Sequence, residues 1–418
     1  MQRFRVQVDG TFAERPSGDH HEDVPSYSLR VIDRIDQVQA AQWDSLLDPV
    51  ATPFVRHAFL SAVEESGCAS PERGWTPRHL LLSRGKELVA ACAAYIKEDS
   101  DGDFSRDWDW ANAAARARMR WYPKLSVTVP FTPVCGRRLL VKAGEDAREL
   151  RAALVQGLRE VARREKINTV HVLFPLEDEA EDLAAAGLAT RVSYQFHWQN
   201  RGYTSMEDFL SKLNSKKRAM LKREMAQPEK QGIHLRTVRG DELATDWKKW
   251  AKTVAALHAH TVDKLMWGRR WLDQGFYERL FQAMPEPIEV VVAERKGKVI
   301  AGAFNVVGGK RLYGRYWGCF EEHPFLHFNV CLYHSVAECI ALGREAFEGG
   351  AGGEHKLPRG FEPSVTWSAH AALDPRLDAA VRDTLSEETP ARRAEIVRYR
   401  EQASVFKKET AAGEPGVP

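Results

Sequence analysis

The order of predicted secondary structure repeats once along the chain, and this repetition constrains the fold more than any other feature. In residues 28–200, the apolar pattern predicts a strand, helices, an antiparallel meander, an amphipathic helix and two further strands. Residues 201–390 show the same order, with the meander at 288–294, 298–307 and 311–319. No residue-level match accompanies the repeat. We therefore predict an α/β protein with mixed sheets, built from two related domains, 28–200 and 201–390.

The two ends of the chain lack this order. Residues 1–27 mix Gly, Pro, His and charge without periodicity and are predicted to be a flexible leader, while residues 391–418 are predicted to form a terminal helix and a flexible tail. The leader contains no apolar segment typical of a secretory signal. The longest aliphatic run, 89–96, is far shorter than the ~20 residues that a membrane-spanning helix needs. We therefore expect a cytoplasmic protein without a transmembrane segment.

Positive charge is concentrated in one predicted helix, although the whole chain is nearly neutral. The 60 basic and 58 acidic side chains give a net charge of +2, which argues against a general nucleic-acid coat and gives no reason to expect DNA binding. One helix nevertheless carries a basic cluster that could contact phosphate groups, the alternative being a solvated surface. The members of this predicted anion- or tRNA-binding cluster are Lys216, Lys217, Arg218, Lys222 and Arg223.

The six cysteines do not indicate a metal site. They contain no C-x-x-C pair, and no histidine pair lies near them at zinc spacing. We expect small buried thiols, and no metal or disulfide is predicted.

Unusual polar and aromatic residues cluster between 311 and 370, at the ends of the last predicted strands. Glu354 and His355 are predicted general bases, and Lys356 is a predicted partner for negative charge. The predicted substrate-binding residues are Arg315, Tyr316, Trp317, His327, Asn329, Arg359 and His370. Two plainer interpretations stay open. The glycine-rich run 349–353 lacks the GK[ST] ending of a P-loop and fits a simple flexible turn, and Glu354 and Lys356 fit a structural ion pair.

Several segments resemble one known family. The segments are PFTPVCGRRLL (130–140), HVLFP (171–175), YQFHWQNRGY (194–203), SKKRAMLKRE (215–224), LYGRYWGC (312–319), LHFNVCLYHS (326–335) and FEGGAGGEHKLPRGFEP (347–363). Over residues 28–390 the chain resembles the bacterial "peptidoglycan biosynthesis/recognition" proteins, a FemAB-like branch of the GNAT N-acyltransferase superfamily. The resemblance implies two tandem GNAT-like domains, in agreement with the repeated order of elements.

The resemblance also implies a reaction. Fem ligases move an aminoacyl group from aminoacyl-tRNA onto an amine of a peptidoglycan precursor, and other GNAT enzymes use acyl-CoA. Acyl-CoA enzymes carry an [RQ]-x-x-G-x-[GA] loop whose backbone N–H groups hold the pyrophosphate. Here the corresponding junctions, 319–327 and 132–138, do not fit that pattern, and the first has no glycine and two acidic residues. This favours aminoacyl-tRNA over acyl-CoA as donor, and no cofactor is assigned.

We therefore predict an enzyme that moves an acyl or aminoacyl group onto an amine acceptor, with a peptidoglycan precursor or a peptide as the candidate acceptor. An amine-bearing substrate is the expected partner, tRNA is a candidate, and a lipid-linked substrate would be met peripherally. The alternatives are an acetyl-CoA-dependent N-acetyltransferase and a non-catalytic scaffold that recognises cell wall or peptide. An enzyme should expose Glu354, His355 and Lys356 to a cleft, whereas a scaffold could bury them in mutual ion pairs.

Overall fold

The computed structural model describes residues 5–8, 26–264, 266, 268–402 and 404–407, and this part of the chain is a mixed α/β protein. Its strands are β1 (Arg5–Val8), β2 (Ser26–Ile32), β3 (Thr76–Pro77), β4 (His79–Arg84), β5 (Glu87–Cys92), β6 (Ala94–Lys97), β7 (Lys124–Val127), β8 (Leu139–Val141), β9 (Thr169–Leu173), β10 (Ala189–Gln199), β11 (Ile233–Val238), β12 (Ile288–Arg295), β13 (Lys298–Gly308), β14 (Arg311–Cys319), β15 (Ala346–Glu348) and β16 (Glu362–Ala372).

The helices flank these strands. They are α1 (Ala40–Asp44), α2 (His57–Glu65), α3 (Trp108–Arg116), α4 (Ala147–Arg164), α5 (Glu177–Ala185), α6 (Met206–Lys212), α7 (Ser215–Met225), α8 (Gln227–Lys230), α9 (Gly240–Thr245), α10 (Trp247–Asp263), α11 (Gln274–Ala283), α12 (Leu326–Phe328), α13 (His334–Ala341) and α14 (Pro375–Gln402). A π-helical turn, Asn329–Tyr333, joins α12 to α13, and a 3₁₀ turn, Glu354–Arg359, precedes β16. Within the described residues, no helix combines the length and the apolar character that crossing a bilayer requires.

The predicted repeat is confirmed by the order of elements. The first half runs β2, α1–α2, β4–β7, α4, β9 and β10, and the second runs β11, α9–α11, β12–β14, α12–α13, β15 and β16. In each half a parallel pair follows the meander: β7 pairs with β9, and β14 pairs with β15. In both halves, helices therefore pack against strands that follow one another in the same order.

The two halves exchange their last strands. β10, from the first half, pairs with β15 of the second, and β16 lies between β10 and β9. β10 and β16 run antiparallel through nine residue pairs, from Ala189 opposite His370 to His197 opposite Glu362. One eleven-stranded sheet therefore continues through both halves, beside a five-stranded sheet of β1, β2, β4, β5 and β8. The predicted domain boundary at residue 200 directly follows β10, a strand of this shared sheet, and the boundary stays a prediction.

The ends of the chain differ from expectation in two places. Arg5–Val8, expected in a flexible leader, form a strand that pairs in parallel with β2 from Ser26 onward. The terminal helix begins at Pro375 and not at 391, and beyond it Phe406 pairs with Leu213. The remaining leader and tail residues lie outside the described part of the chain.

Two helical segments are interrupted. The segment from α6 to α7 divides at Leu213, because Asn214 caps a new helix by accepting a hydrogen bond from the Lys217 N–H. The segment from α12 to α13 contains the π-helical turn. π-turns inside helices often lie at functional sites.

The apolar face of α4 is buried against strands of both sheets. Leu150, Leu154, Leu158 and Val161 pack in one core with residues of β4, β5 and β9. A second core joins the halves, since Phe59 of α2 packs edge-on against Phe276 of α11. The two halves are therefore fixed to each other by apolar contacts as well as by the shared sheet.

A buried ion cluster fixes the segment before β7. The Nζ atom of Lys124 lies 2.8 Å from Asp103 Oδ2 and 2.9 Å from Asp107 Oδ2, and all three side chains are fully buried. Trp121 Nε1 donates a hydrogen bond to the Asp107 carboxylate at 2.8 Å. This cluster holds the loop that contains Phe104 and Arg106 against the sheet.

Candidate functional site

A cavity opens where the parallel strands β14 and β15 separate. They pair only over Arg311–Tyr313 and Ala346–Glu348, after which β14 continues while the other chain turns into the glycine loop, residues 349–353. The resulting wedge cavity has a volume of about 310 Å³. Its lining includes Phe104, Pro133, Asn305, Arg315, Tyr316, Trp317, His327, Cys331, the glycine loop, His355 and Lys356.

Lys356 fastens the glycine loop. Its buried Nζ donates hydrogen bonds to the carbonyl oxygens of Gly350 at 2.6 Å and Gly352 at 2.7 Å. Gly350, Gly352 and Gly353 have φ of +83°, +77° and +90°, a backbone conformation that favours glycine. Burial lowers the pKa of Lys356 to about 8. Within the described residues no carboxylate pairs with this ammonium, so the ion pair with Glu354 that the sequence left open does not form.

Two imidazoles face the wedge cavity. The rings of His327 and His355 lie 6.1 Å apart, and Trp317 packs edge-on against His327. Burial, together with nearby positive charge, lowers the pKa of His327 to about 4. Burial, followed by Lys356 and Arg359, also lowers the pKa of His355. Both rings are therefore neutral near pH 7 and able to accept a proton.

Glu354 faces a different cavity from its neighbour His355. It lines the seam cavity, about 320 Å³, which lies over β10 and β16 where the two halves meet. The exposed Glu354 carboxylate accepts a hydrogen bond from Tyr399 Oη at 2.7 Å. The 3₁₀ turn thus directs two consecutive predicted bases to opposite sides of the glycine loop.

Arg315 and Tyr316 line the wedge cavity and also hold the two halves together. Arg315 Nη2 and Tyr316 Oη both donate to the Phe131 carbonyl oxygen, at 2.8 and 3.0 Å. The Tyr316 ring packs on His258, with centroids 4.3 Å apart. Their predicted contact with substrate stays a prediction, and their observed contacts fix the β14 wall of the cavity.

Three predicted substrate-binding residues line neither cavity. Asn329 Nδ2 donates to the carbonyl oxygens of Glu224 and Phe325, at 3.0 and 2.9 Å. Arg359 is buried among Glu224, Tyr333 and the His355 carbonyl oxygen. His370 lies buried against His171, with their Nδ1 atoms 2.6 Å apart. The observed contacts of all three are internal to the protein.

The basic cluster lies on α7, which packs against the 3₁₀ turn that contains His355. Lys216, Lys222 and Arg223 are exposed, and Lys217 and Arg218 are half-buried. In the described part of the chain, the acidic partner of this cluster is Glu207, 4.0 Å from Lys222. The opposite face of α7 is anchored by buried Glu224, which pairs with Arg359 at 2.8 Å. Arg359 in turn donates to the His355 carbonyl oxygen at 2.6 Å, so one side chain connects α7 to the cavity wall.

Sequence reasoning missed a buried pair beneath the glycine loop. The Oε2 atom of Glu348 lies 3.8 Å from His197 Nε2, and within the described residues neither atom has a hydrogen-bond partner. Burial raises the pKa of Glu348 to about 7 and lowers that of His197 to about 3. A glutamate that ends a strand directly before a glycine run was a usable signal. Its pairing with His197 was not, because it depends on the exchange of β10.

The structure is thus that of a mixed α/β protein with two repeated halves. Its wedge cavity lies where β14 and β15 separate. The chain belongs to the FemAB-like family, described as "peptidoglycan biosynthesis/recognition", which it matches over residues 34–408. Membership supports a transferase of cell-wall synthesis. No curated protein matches the sequence.

The chain is similar to several solved structures at low sequence identity. FemX superposes with a TM-score of 0.50 at 12% identity, covering 82% of this chain and 98% of FemX. L-PGS from Bacillus licheniformis gives 0.47 at 8% identity, covering 82% and 99%. A tandem GNAT protein from the clavulanic acid biosynthesis pathway gives 0.43 at 14% identity, covering 84% and 99%. The likeness to FemX is one of fold.

Proposed function

We propose that the protein transfers an acyl or aminoacyl group to an amine acceptor in the wedge cavity. The observation that carries this proposal is the charge pattern of the lining. Arg315 and Lys356 supply positive charge, His327 and His355 are neutral bases, and no acidic side chain is among the lining residues of this described cavity. Such a lining suits a carbonyl oxygen that becomes negative during acyl transfer.

His355 is the proposed general base. An ammonium acceptor gives one proton to the imidazole, and its nitrogen then forms a bond to the carbonyl carbon of the donor. The bond from that carbon to the donor's oxygen or sulfur breaks, and the leaving atom takes the second proton of the nitrogen. The lowered pKa of His355 keeps the ring neutral near pH 7, so one ring nitrogen has a lone pair for the first proton.

The unpaired edge of β14 is suited to stabilise the negative charge that develops on the carbonyl oxygen of the donor. Beyond Tyr313 no described strand pairs with β14 on its β15 side, and Gly314 to Trp317 line the cavity along this edge. Backbone donors fixed at such an edge stabilise an oxyanion without reorganisation. We place the donor carbonyl along this edge, with the Arg315 guanidinium beside it.

The proposed donor is aminoacyl-tRNA, with acyl-CoA as the alternative. The α7 cluster offers a phosphate-binding surface next to the turn that contains His355. The junction between β14 and α12 contains no glycine, and Glu321 and Glu322 there pair with Arg295 and Lys264. This leaves a poor anion site where acyl-CoA enzymes bind pyrophosphate. In this proposal the reaction takes place in the cytoplasm, where a lipid-linked acceptor would be met peripherally.

A transfer assay tests the function directly. Purified protein is incubated with labelled aminoacyl-tRNA or acetyl-CoA and with muropeptide amines, and the product is identified by mass spectrometry. His355→Gln should lower kcat at least ~100-fold, since general-base catalysis contributes about 10²–10⁴. The exposed His234→Gln, on β11, is the matched control. Undiminished turnover by His355→Gln would remove His355 from the mechanism, and transfer from acetyl-CoA alone would assign the other donor.

A further inference from the structure

The seam cavity shares a wall with the wedge cavity. Five residues line both cavities: Phe104, Pro133, Ala351, Gly352 and Gly353. The partition is therefore one loop thick, and it consists largely of small side chains. Two molecules that occupy the two cavities would therefore be separated by this one loop, and the amine of one has to pass the edge of the loop before group transfer.

Glu354 gives the seam cavity a site for a cation. It is the acidic side chain among the lining residues, and its exposed carboxylate accepts a hydrogen bond from Tyr399. Across the described chain, no lysine, arginine or histidine forms an ion pair with it. An ammonium group of a ligand can therefore take that position with a charge-assisted hydrogen bond.

Arg106 gives the same cavity a site for an anion. Arg191 and Arg392 also line the cavity, but both are close to Glu388, at 3.0 and 3.9 Å. Arg106 is exposed, and in the described part of the chain no carboxylate pairs with it. It is thus the lining arginine with an uncommitted guanidinium.

The backbone around Arg106 is held in a strained conformation. Phe104 and Arg106 have φ of +61° and +53°, a backbone conformation that is rare for bulky side chains. Arg191 Nη1 donates to the carbonyl oxygens of Ser105 and Arg106, each at 3.2 Å, and Ser105 Oγ donates to Asp107 within the Lys124 cluster. Strain maintained by so many contacts is typical of ligand-binding positions.

Hydroxyl groups complete the floor of the cavity. Ser193 of β10 lies opposite Thr366 of β16, and Ser368 lies opposite Arg191. These side chains offer donors and acceptors to amide or sugar groups, without selecting either.

We propose that the seam cavity binds the acceptor as a primary amine that also bears an anionic group, with the ammonium on Glu354 and the anion on Arg106. This inference rests on the proposed function, because it makes the ligand of this cavity the acceptor for transfer. Glu354 and His355 then divide one task between adjacent residues. Glu354 first binds the ammonium on one side of the glycine loop, and His355 takes its proton once the amine has passed the loop into the wedge cavity.

Calorimetric titration of the full chain tests this inference without requiring turnover. The probes are alanyl-lysine, which presents a carboxylate, and glucosamine 6-phosphate, which presents a phosphate, each compared with its fully N-acetylated form. Binding of either free amine supports the proposal and identifies the source of the anion. Glu354→Gln and Arg106→Gln should each weaken that binding about tenfold. Glu177→Gln and Arg148→Gln, both exposed on other helices, are the matched controls.

The outcomes separate this inference from the proposed function. Failure of both amines to bind, equal binding of the acetylated probes, or unchanged affinity in both variants would overturn the seam site. Amine binding that is lost in Glu354→Gln, in a protein that transfers nothing from either donor, would overturn the transferase and leave the site standing. Transfer with an unchanged acceptor KM in Glu354→Gln and Arg106→Gln would overturn the seam site and leave the transferase standing.

Discussion

Glu224 and Arg359 form a buried ion pair across 135 residues of sequence, with Arg359 Nη2 donating to Glu224 Oε2 at 2.8 Å. The same guanidinium stacks on Phe328 and donates to the His355 carbonyl oxygen. The pair therefore joins the basic helix α7, the π-helical turn region and the wall of the wedge cavity. The position of His355 in the cavity wall therefore depends on an ion pair that lies outside the cavity.

We expect Glu224→Ala to destabilise the protein by about 3–5 kcal/mol, because it leaves the Arg359 charge buried without its partner. Urea unfolding of Glu224→Ala, Arg359→Met and the double variant measures this as a double-mutant cycle. The double variant should lose less than the sum of the single losses. Additive losses would show that the pair contributes no coupling, and Glu229→Ala, exposed on α8, controls for helix effects.

Lys124→Met should cost a similar ~3–5 kcal/mol, because Asp103 and Asp107 would remain buried without their cation. Burial opposes ionisation of Asp107, but the Lys124 charge and hydrogen bonds outweigh it and hold the pKa of Asp107 well below its ordinary value. Stability from this group is present above about pH 4 and is lost as the pH falls further. Unfolding free energies between pH 3 and 7 should show this acid-side loss in wild type and a smaller loss in Lys124→Met. An equal loss in both proteins would contradict the assignment, and Lys86→Met in an exposed turn is the control.

Glu348 should show the opposite dependence on pH. Because burial raises its pKa from 4.5 to about 7, the folded protein binds its proton more tightly than the unfolded chain does. Its contribution to stability is therefore fully present below about pH 4.5 and is lost as the pH rises through 7. We expect Glu348→Gln to be about neutral at pH 5 and to stabilise the protein at pH 8 by roughly 3 kcal/mol, at 1.36 kcal/mol per pKa unit. Urea unfolding at the two pH values decides this, with Glu177→Gln as control, and destabilisation at pH 8 would contradict it.

The sequence predicted what depends on local periodicity. The amphipathic helix α4 and the strands from 288 to 319 lie where their apolar pattern puts them, since each pattern needs only an apolar core to pack against. The repeat of elements followed from the same signal. The exchange of β10 and β16 did not, because strand order in a sheet is a matter of long-range pairing.

The sequence predicted a cluster of site residues between 311 and 370. Part of that cluster lines the wedge cavity, and the roles of its residues stay predictions. Glu354 and His355 are neighbours in sequence, yet a 3₁₀ turn after Gly353 separates them between two cavities. Asn329 and Arg359 stood out because they are polar, but polarity alone does not reveal that Glu224 is their partner. Lys356 was expected to meet negative charge and instead holds two carbonyl groups of the glycine loop.

The basic helix should make tRNA binding strongly dependent on salt. Each phosphate contact contributes about 0.7–0.9 to the slope of log K against log salt concentration. Replacing Lys216, Lys217, Arg218 and Arg223 by Gln should therefore lower the slope by about 3 and weaken binding at low salt. The same replacement of four exposed lysines, Lys248, Lys249 and Lys252 on α10 and Lys298 on β13, is the matched control. Equal effects of the two sets in a filter-binding titration would indicate non-specific attraction and argue against α7 as the tRNA surface.

Lys356→Met distinguishes a lysine that positions the glycine loop from one that only stabilises the fold. The change keeps the apolar stem but leaves the Gly350 and Gly352 carbonyl groups without their donor, at a cost of about 1–3 kcal/mol. It also removes a positive charge that lowers the pKa of His355. We therefore expect transfer to fall, and the acid limb of the kcat/KM profile to move to higher pH as the pKa of His355 rises. A loss of stability with an unmoved pH profile would assign Lys356 a purely structural role, and Lys310→Met, whose side chain is 71% exposed, should change neither.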